Sequence, residues 1–159
     1  MLSEPVTQHD VVWGASGVAG GSDNTSPWLR IRTETKGKTT RHLFTLKRSV
    51  TSQLDSIEHE TEVADRAEME KIIHELGFVL YSDLTKTRQK AHVNDIEICL
   101  DVVDGLGSFI EAEKLAEDDV DHVLIIDELW ALFESLGIDR KSEVTDGYDV
   151  LMNKELGRE

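Results

Sequence analysis

The chain has 159 residues and a formal net charge of −15, a length that suits one domain with a real core. The acidic balance argues against nonspecific nucleic-acid binding, which needs a basic face, but it leaves room for an anionic substrate wherever the basic residues cluster. No apolar run approaches the ~20 residues that span a bilayer, no basic and apolar leader opens the sequence, and the single cysteine, Cys99, excludes an internal disulfide, so the expectation is a cytoplasmic protein away from membranes.

Met1 to Thr7 read as a frayed end, and Gly14 to Pro27, rich in Gly, Ser, Asp and Asn, as a loop. Trp28-Leu-Arg-Ile-Arg32 then reads as a strand with Arg30 and Arg32 on one face and Leu29 and Ile31 on the other. Lys36-Gly-Lys38 turns into His42–Lys47, where Lys47 opposes Phe44 and Leu46. Arg48 to Ser56 is a polar connection, and Ile57–Val63 aligns Glu58, Glu60 and Glu62. Asp65-Arg-Ala-Glu68 has the form of a helix cap, followed by an apolar stripe of Met69, Ile72, Ile73 and Leu76 and a stop at Gly77.

Three strands follow as a meander: around Tyr81–Lys90, Asp95–Val103 and Ser108–Leu115. Lys86 aligns with Arg88; Glu97, Cys99 and Asp101 align against Ile96, Ile98, Leu100 and Val102; Phe109, Glu111 and Glu113 align against Ile110 and Ala112. Asn94-Asp95 and Asp104-Gly105 are the hairpin turns. A second helix runs from about Asp118 to Leu136, with Val123, Leu124, Leu129, Trp130 and Phe133 able to cover the apolar back of a sheet. Nearly every strand thus has one charged and one apolar face. An open sheet with a wet charged face satisfies that pattern, and so does a closed barrel with a charged lumen.

The ordered set Leu-Arg-Ile-Arg at 29–32, Thr-Leu-Lys at 45–47, the Glu-x-Glu-x-Glu strand, Lys86-x-Arg88, Leu100-Asp-Val-Val and Gly105-Leu-Gly-x-Phe-x-Glu-x-Glu113 resembles the CYTH superfamily of triphosphate tunnel enzymes. Within it the stretch from Asp101 to Glu113 is most similar to the class IV adenylyl cyclase branch. Gln8–Trp13 resembles the family's Gln-x-Asp-x-Tyr-Phe strand, and Asp146-Gly-Tyr-Asp-Val-Leu151 its closing Tyr-x-x-Leu-Leu segment. The resemblance implies an α+β fold, an antiparallel barrel-like tunnel flanked by helices, with a frayed N-terminus over 1–7, a domain over 8–152 and a tail over 153–159.

It also implies the chemistry. Arg30, Arg32, Lys47, Lys86 and Arg88 would bind a linear triphosphate, Arg offering a planar fork to phosphate oxygens. Lys86, Arg88 and Asp101 would act in catalysis, and Glu111, Glu113 and Glu60 would hold Mg²⁺ or Mn²⁺, hard ions that choose oxygen ligands. The implied reaction converts ATP to cyclic AMP and pyrophosphate. The alternatives are an inorganic or thiamine triphosphatase of the same fold, or a remnant that binds a phosphate ligand without turnover. The family's Glu-x-Glu-x-Lys strand and first helix, which precede the Gln-x-Asp strand, have no match here. The expectation is therefore a domain incomplete at its N-terminus, with weakened activity and an unpaired strand edge that invites a second copy.

Overall fold

Alternating charged and apolar side chains fold here into a single antiparallel sheet. The structure, a computed structural model, describes residues 1–15, 26–50, 56–115 and 122–158. Its strands are β1 (Val6–Ala15), β2 (Trp28–Lys36), β3 (Thr39–Ser49), β4 (Ser56–Val63), β5 (Phe78–Val93), β6 (Ile96–Val103) and β7 (Gly107–Glu113), in the spatial order β4-β3-β2-β1-β5-β6-β7. The helices are α1 (Arg66–Glu75), α2 (His122–Ser135) and α3 (Tyr148–Glu155). This is the α+β, antiparallel architecture expected from the sequence. The sheet stays unclosed, with β4 and β7 as its edges.

The apolar face carries the core. Val11 and Trp13 of β1, Leu29 and Ile31 of β2 and Ile73 of α1 are buried together, with Phe44, Leu46, Met69 and Phe78 packed around them. Ile31 and Ile73 have no exposed surface, and full burial of such a side chain contributes about 1.5–3 kcal/mol. Asp65 caps α1 by accepting a hydrogen bond from the Glu68 N–H at 3.0 Å, and Gly77 ends it at φ +86°, where a Cβ would be strained. Arg66 anchors the same helix by donating to His9 Nδ1 at 3.0 Å and Thr33 Oγ1 at 2.8 Å. Ile72 and Leu76 stay exposed, so the buried stripe of α1 is narrower than its periodicity suggests.

The second helix departs from expectation. Its first predicted residues lie outside the described ones, and Val123, Leu124, Ile126 and Leu136 are 63%, 66%, 53% and 53% exposed. Ion pairs explain the placement. Lys114, just past β7, holds Glu128 at 2.6 Å and Asp95 of the β5–β6 turn at 3.0 Å. These tie α2 to the end of that hairpin, leaving Leu100 and Val102 on the back of β6 partly open.

Order begins earlier than predicted at the N-terminus. The Ser3 N–H donates to the Lys90 carbonyl at 2.8 Å, the Lys90 N–H donates back to Ser3 Oγ at 2.9 Å, and β1 starts at Val6. At the other end α3 runs through Glu155.

One irregularity positions the third helix. Val12 pairs with Ser82 and Trp13 with Leu80, so Tyr81 is an extra residue in β5. Such a bulge bends the strand and increases its local twist. The Tyr81 carbonyl accepts from Asn153 Nδ2 of α3 at 3.0 Å, and its ring tilts against Trp28, centroids 4.7 Å apart.

Candidate active site

Strand register assembles the charged face. Asp10 sits directly opposite Arg32, Arg88 opposite Asp101, Cys99 opposite Glu111, Lys47 opposite Glu58 and Thr45 opposite Glu60. Directly opposed residues lie within side-chain reach, so each pair is a product of register before it is a product of charge.

The middle of the face is tightly paired. Arg32 donates two hydrogen bonds to Asp10, both 2.7 Å. Arg88 Nε donates to Asp101 at 2.7 Å and Lys86 Nζ to the same carboxylate at 3.0 Å, while Arg88 also grips Glu111. Asp101 is 1% exposed and Lys86 3%. Burial pushes the Asp101 carboxyl up, but the Arg88 hydrogen bond and the Lys86 charge outweigh it and hold it below the usual carboxylate range. Asp10 is held low in the same way, burial being outweighed by Arg32 and then by Arg30 and Lys86. Lys86 moves down, first through burial and then through the charges of Arg88 and Arg32. Arg88 moves up despite burial, because its Asp101 hydrogen bond and the Glu111 charge favour the cation.

The β2–β4 side is looser. Arg30 lies 3.6 Å from Glu60 and 3.8 Å from Glu58, and Lys47 lies 3.1 Å from Glu58. Thr45 Oγ1 bridges, accepting from Arg30 at 3.2 Å and donating to Glu60 at 2.9 Å. Asp149, in the first turn of α3, is pushed up by burial, with Lys47 and Arg30 pulling the other way.

A donor set suitable for a cation forms at the opposite edge. Donor atoms of Cys99, Glu111 and Glu113 lie within 4.8 Å of one another. Partial desolvation and the neighbouring Glu111 push Glu113 up, and a divalent cation would relieve that crowding. The two carboxylates fit a hard ion such as Mg²⁺ or Mn²⁺. The thiol, raised to about 12 chiefly by burial, is protonated at neutral pH and adds little to such an ion. Glu60 stands on the other edge strand, its oxygen engaged by Thr45, outside this donor group. Asp101 has its oxygens committed to Arg88 and Lys86.

The structure therefore brings Arg30, Arg32, Lys47, Lys86, Arg88, Glu60, Asp101, Glu111 and Glu113 to one face, and divides them among three neighbourhoods. It adds Asp10, Thr45, Asp149 and Tyr148. Parity along Gln8–Trp13 could have flagged Asp10. Tyr148 stands in the segment likened to the family's closing Tyr-x-x-Leu-Leu, with no role assigned to it there; its ring lies 4.9 Å from that of Phe109 and 4.7 Å from Lys86 Nζ.

Residues 22–148 match the family profile of the CYTH domain. A Methanocaldococcus jannaschii protein named "Putative adenylate cyclase MJ0240" is 30% identical over 91 residues, taking in 57% of this chain and 52% of that protein. The match thus spans about half the length of that relative. Among solved structures, the PH1819 protein of Pyrococcus horikoshii superposes with a TM-score of 0.84 at 23% identity, covering 97% of this chain and 88% of that one. A Vibrio parahaemolyticus structure described as "a putative adenylate cyclase" superposes at 0.72 with 17% identity, covering 94% and 82%. At these identities the likeness is one of fold.

Proposed function

The chain belongs to the CYTH domain family, and from that premise we propose that it acts on a linear triphosphate, converting ATP to cyclic AMP and pyrophosphate. One observation carries this reading: a row of cations, Arg30, Lys47, Lys86 and Arg88, shares a sheet face with the crowded carboxylates of Glu111 and Glu113. A row of fixed positive charge suits the several negative charges of a triphosphate. Two adjacent carboxylates suit the divalent ion that commonly accompanies one.

In this reading Arg30 and Lys47 exchange loosely held carboxylates for phosphate oxygens. Lys86 and Arg88 hold the phosphate nearest the reacting centre, and Asp101, low in pKa and fully engaged, orients them and takes up no proton. The ribose 3′-hydroxyl forms a new bond to the α-phosphorus and gives up its proton to solvent, the α–β bridge breaks, and pyrophosphate leaves with the electron pair. Glu111 and Glu113 would hold Mg²⁺ or Mn²⁺, which when bound neutralises phosphate charge and activates the attacking oxygen. With water attacking the γ-phosphorus the same residues would serve a triphosphatase.

A second reading is binding without turnover. It is favoured by the small oxygen donor set, since among the described residues the cluster offers two carboxylates and a protonated thiol. The test incubates the chain with ATP, thiamine triphosphate and tripolyphosphate plus Mg²⁺ or Mn²⁺ and resolves products by phosphorus NMR. Cyclic AMP lost on Glu111→Ala supports the cyclase, and orthophosphate alone supports the triphosphatase. Tripolyphosphate-induced stabilisation with no product supports binding alone.

A further inference from the structure

The first turn of α3 reaches both sides of the charged face. Tyr148 sets its ring against Phe109 and Lys86 on one side, and Asp149, the next residue, faces the charges of Lys47 and Arg30 on the other. The strands fix this placement. Asn153 donates to the bulged Tyr81 carbonyl at 3.0 Å, the Tyr81 ring tilts against Trp28, and Trp28 lies directly opposite Lys47. The Asp149 carboxylate also accepts from its own N–H and that of Val150, two of the donors that the first turn of a helix leaves free. Neither cation is saturated by its own sheet. Arg30 stands 3.6 Å from Glu60 and 3.8 Å from Glu58, Lys47 stands 3.1 Å from Glu58, and the buried Nε of Arg30 has no partner among the described residues. Burial costs the Asp149 carboxyl more than the amides and cations return, which lifts its pKa above the ordinary value. A carboxylate held at such a loss is one that a more highly charged anion can replace.

We propose that Asp149 is an autoinhibitory contact: its carboxylate stands in for the ligand at Arg30 and Lys47, and a polyphosphate binds there by displacing it together with the first turn of α3. This rests on the polyphosphate reading above and adds what the ligand has to displace. An arginine and a lysine that converge on one anion suit phosphate oxygens, and here the chain supplies an anion of its own. The apparent affinity for an outside ligand then falls in proportion to the time the two cations spend occupied. Glu58 and Glu60 compete from the sheet, where a side-chain rotation releases them. Asp149 competes from a helix, so its release is felt along α3.

The variant is Asp149→Asn, which keeps an acceptor for the two amides and removes the charge. Calorimetric titration of tripolyphosphate with Mg²⁺ into the full chain is expected to show the variant binding at least roughly fivefold tighter than the wild type, the low end of ordinary coupling. Glu75→Gln, which removes the same charge from an exposed position at the end of α1, should leave affinity where it was. An equal gain there reduces the effect to net charge and overturns the inference. Weaker binding by Asp149→Asn also overturns it, because Asp149 would then be holding Arg30 and Lys47 in place for the ligand. A second readout uses the wild type alone. The amide resonances of Asp149 and Val150 should shift as tripolyphosphate is added, since the carboxylate they bind is leaving; shifts confined to β2 and β3 overturn the proposal. Binding by the variant and not by the wild type is the strongest form of the expected result. If neither binds, the polyphosphate reading fails and this inference with it. If both bind equally, this inference alone fails.

Discussion

Two regions of the same charged face pair cations with carboxylates, and they do it differently. Around β1, β2, β5 and β6, Asp10 and Asp101 are nearly inaccessible and meet their arginines through two-pronged bonds, at 2.7 Å for both prongs on Asp10 and at 2.7 and 2.5 Å on Asp101. At the β2–β4 side, Arg30 meets Glu58 and Glu60 at 3.8 and 3.6 Å, with carboxylates 39% and 41% exposed. A buried pair is expensive to break because the survivor is stranded without water. A half-exposed pair is worth about 0–1 kcal/mol and can exchange partners. The first region therefore behaves as framework, and the second as a surface that can trade a carboxylate for a phosphate. Arg32, expected from the sequence to bind phosphate, falls on the framework side.

The sharpest way to break that comparison is Asp101→Ala, which strands Lys86 and Arg88. The expected cost is about 3–5 kcal/mol, a fall in melting temperature on the order of 10 °C for a chain of this size. Asp10→Ala should cost similarly through Arg32, and Glu58→Gln should cost less than about 1 kcal/mol. Denaturant titration of the three variants checks the order. Equal losses at Asp101 and Glu58 would erase the distinction.

Acid titration probes the same framework. Both Asp10 and Asp101 have folded pKa values below their unfolded ones. Their contribution is complete above the ordinary aspartate value of about 3.9 and is lost as pH falls through the lower folded values. Stability should therefore drop steeply below that pH, and Asp101→Asn should flatten the drop.

On the exchangeable side, Lys47→Ala is expected to weaken tripolyphosphate binding about tenfold with little change in stability. Glu58→Gln should tighten it, because Arg30 and Lys47 lose a competitor. Calorimetry on both variants decides whether the edge exchanges partners.

The smallest effect concerns Glu113, whose folded pKa is raised. Here the sign reverses: stability contributed by its protonated form is lost as pH rises from the ordinary glutamate value of about 4.3 through the higher folded one. Glu113→Gln should remove that slope and also abolish any stabilisation by Mg²⁺, read as a melting shift.

Strand parity made much of this legible. Period two placed Arg30, Lys86 and Glu111 on one face because each strand alternates cleanly with apolar neighbours such as Ile31, Leu46 and Ile110. The turns at Gly37, Asn94 and Gly105 were legible for the same local reason, each adopting a positive φ. Parity has no knowledge of where a strand lies in the sheet, and the resemblance grouped Glu60 with Glu111 as metal ligands although they stand on opposite edges. It also cannot say which cations are already spoken for. Arg32 and Arg30 are two residues apart on one strand, and their different fates depend on Asp10 lying across from one of them. The docking of α2 was misread because amphipathicity gives a helix an apolar face without choosing what lies against it.

The bulge at Tyr81 makes β5 a strand with two phases. From Ser82 onward even-numbered residues share the charged face, and beyond the bulge the pairing of Trp13 with Leu80 has moved by one. A deletion of Tyr81 would restore a regular ladder, and the ladder itself would lose nothing. The harm would appear elsewhere: α3 would lose the carbonyl that receives Asn153, and Trp28 the ring against which it tilts. Loss of this one residue is thus silent to the sheet and audible to the helix. A chain lacking Tyr81 should retain its strand content by circular dichroism while α3 amides lose their protection from hydrogen exchange.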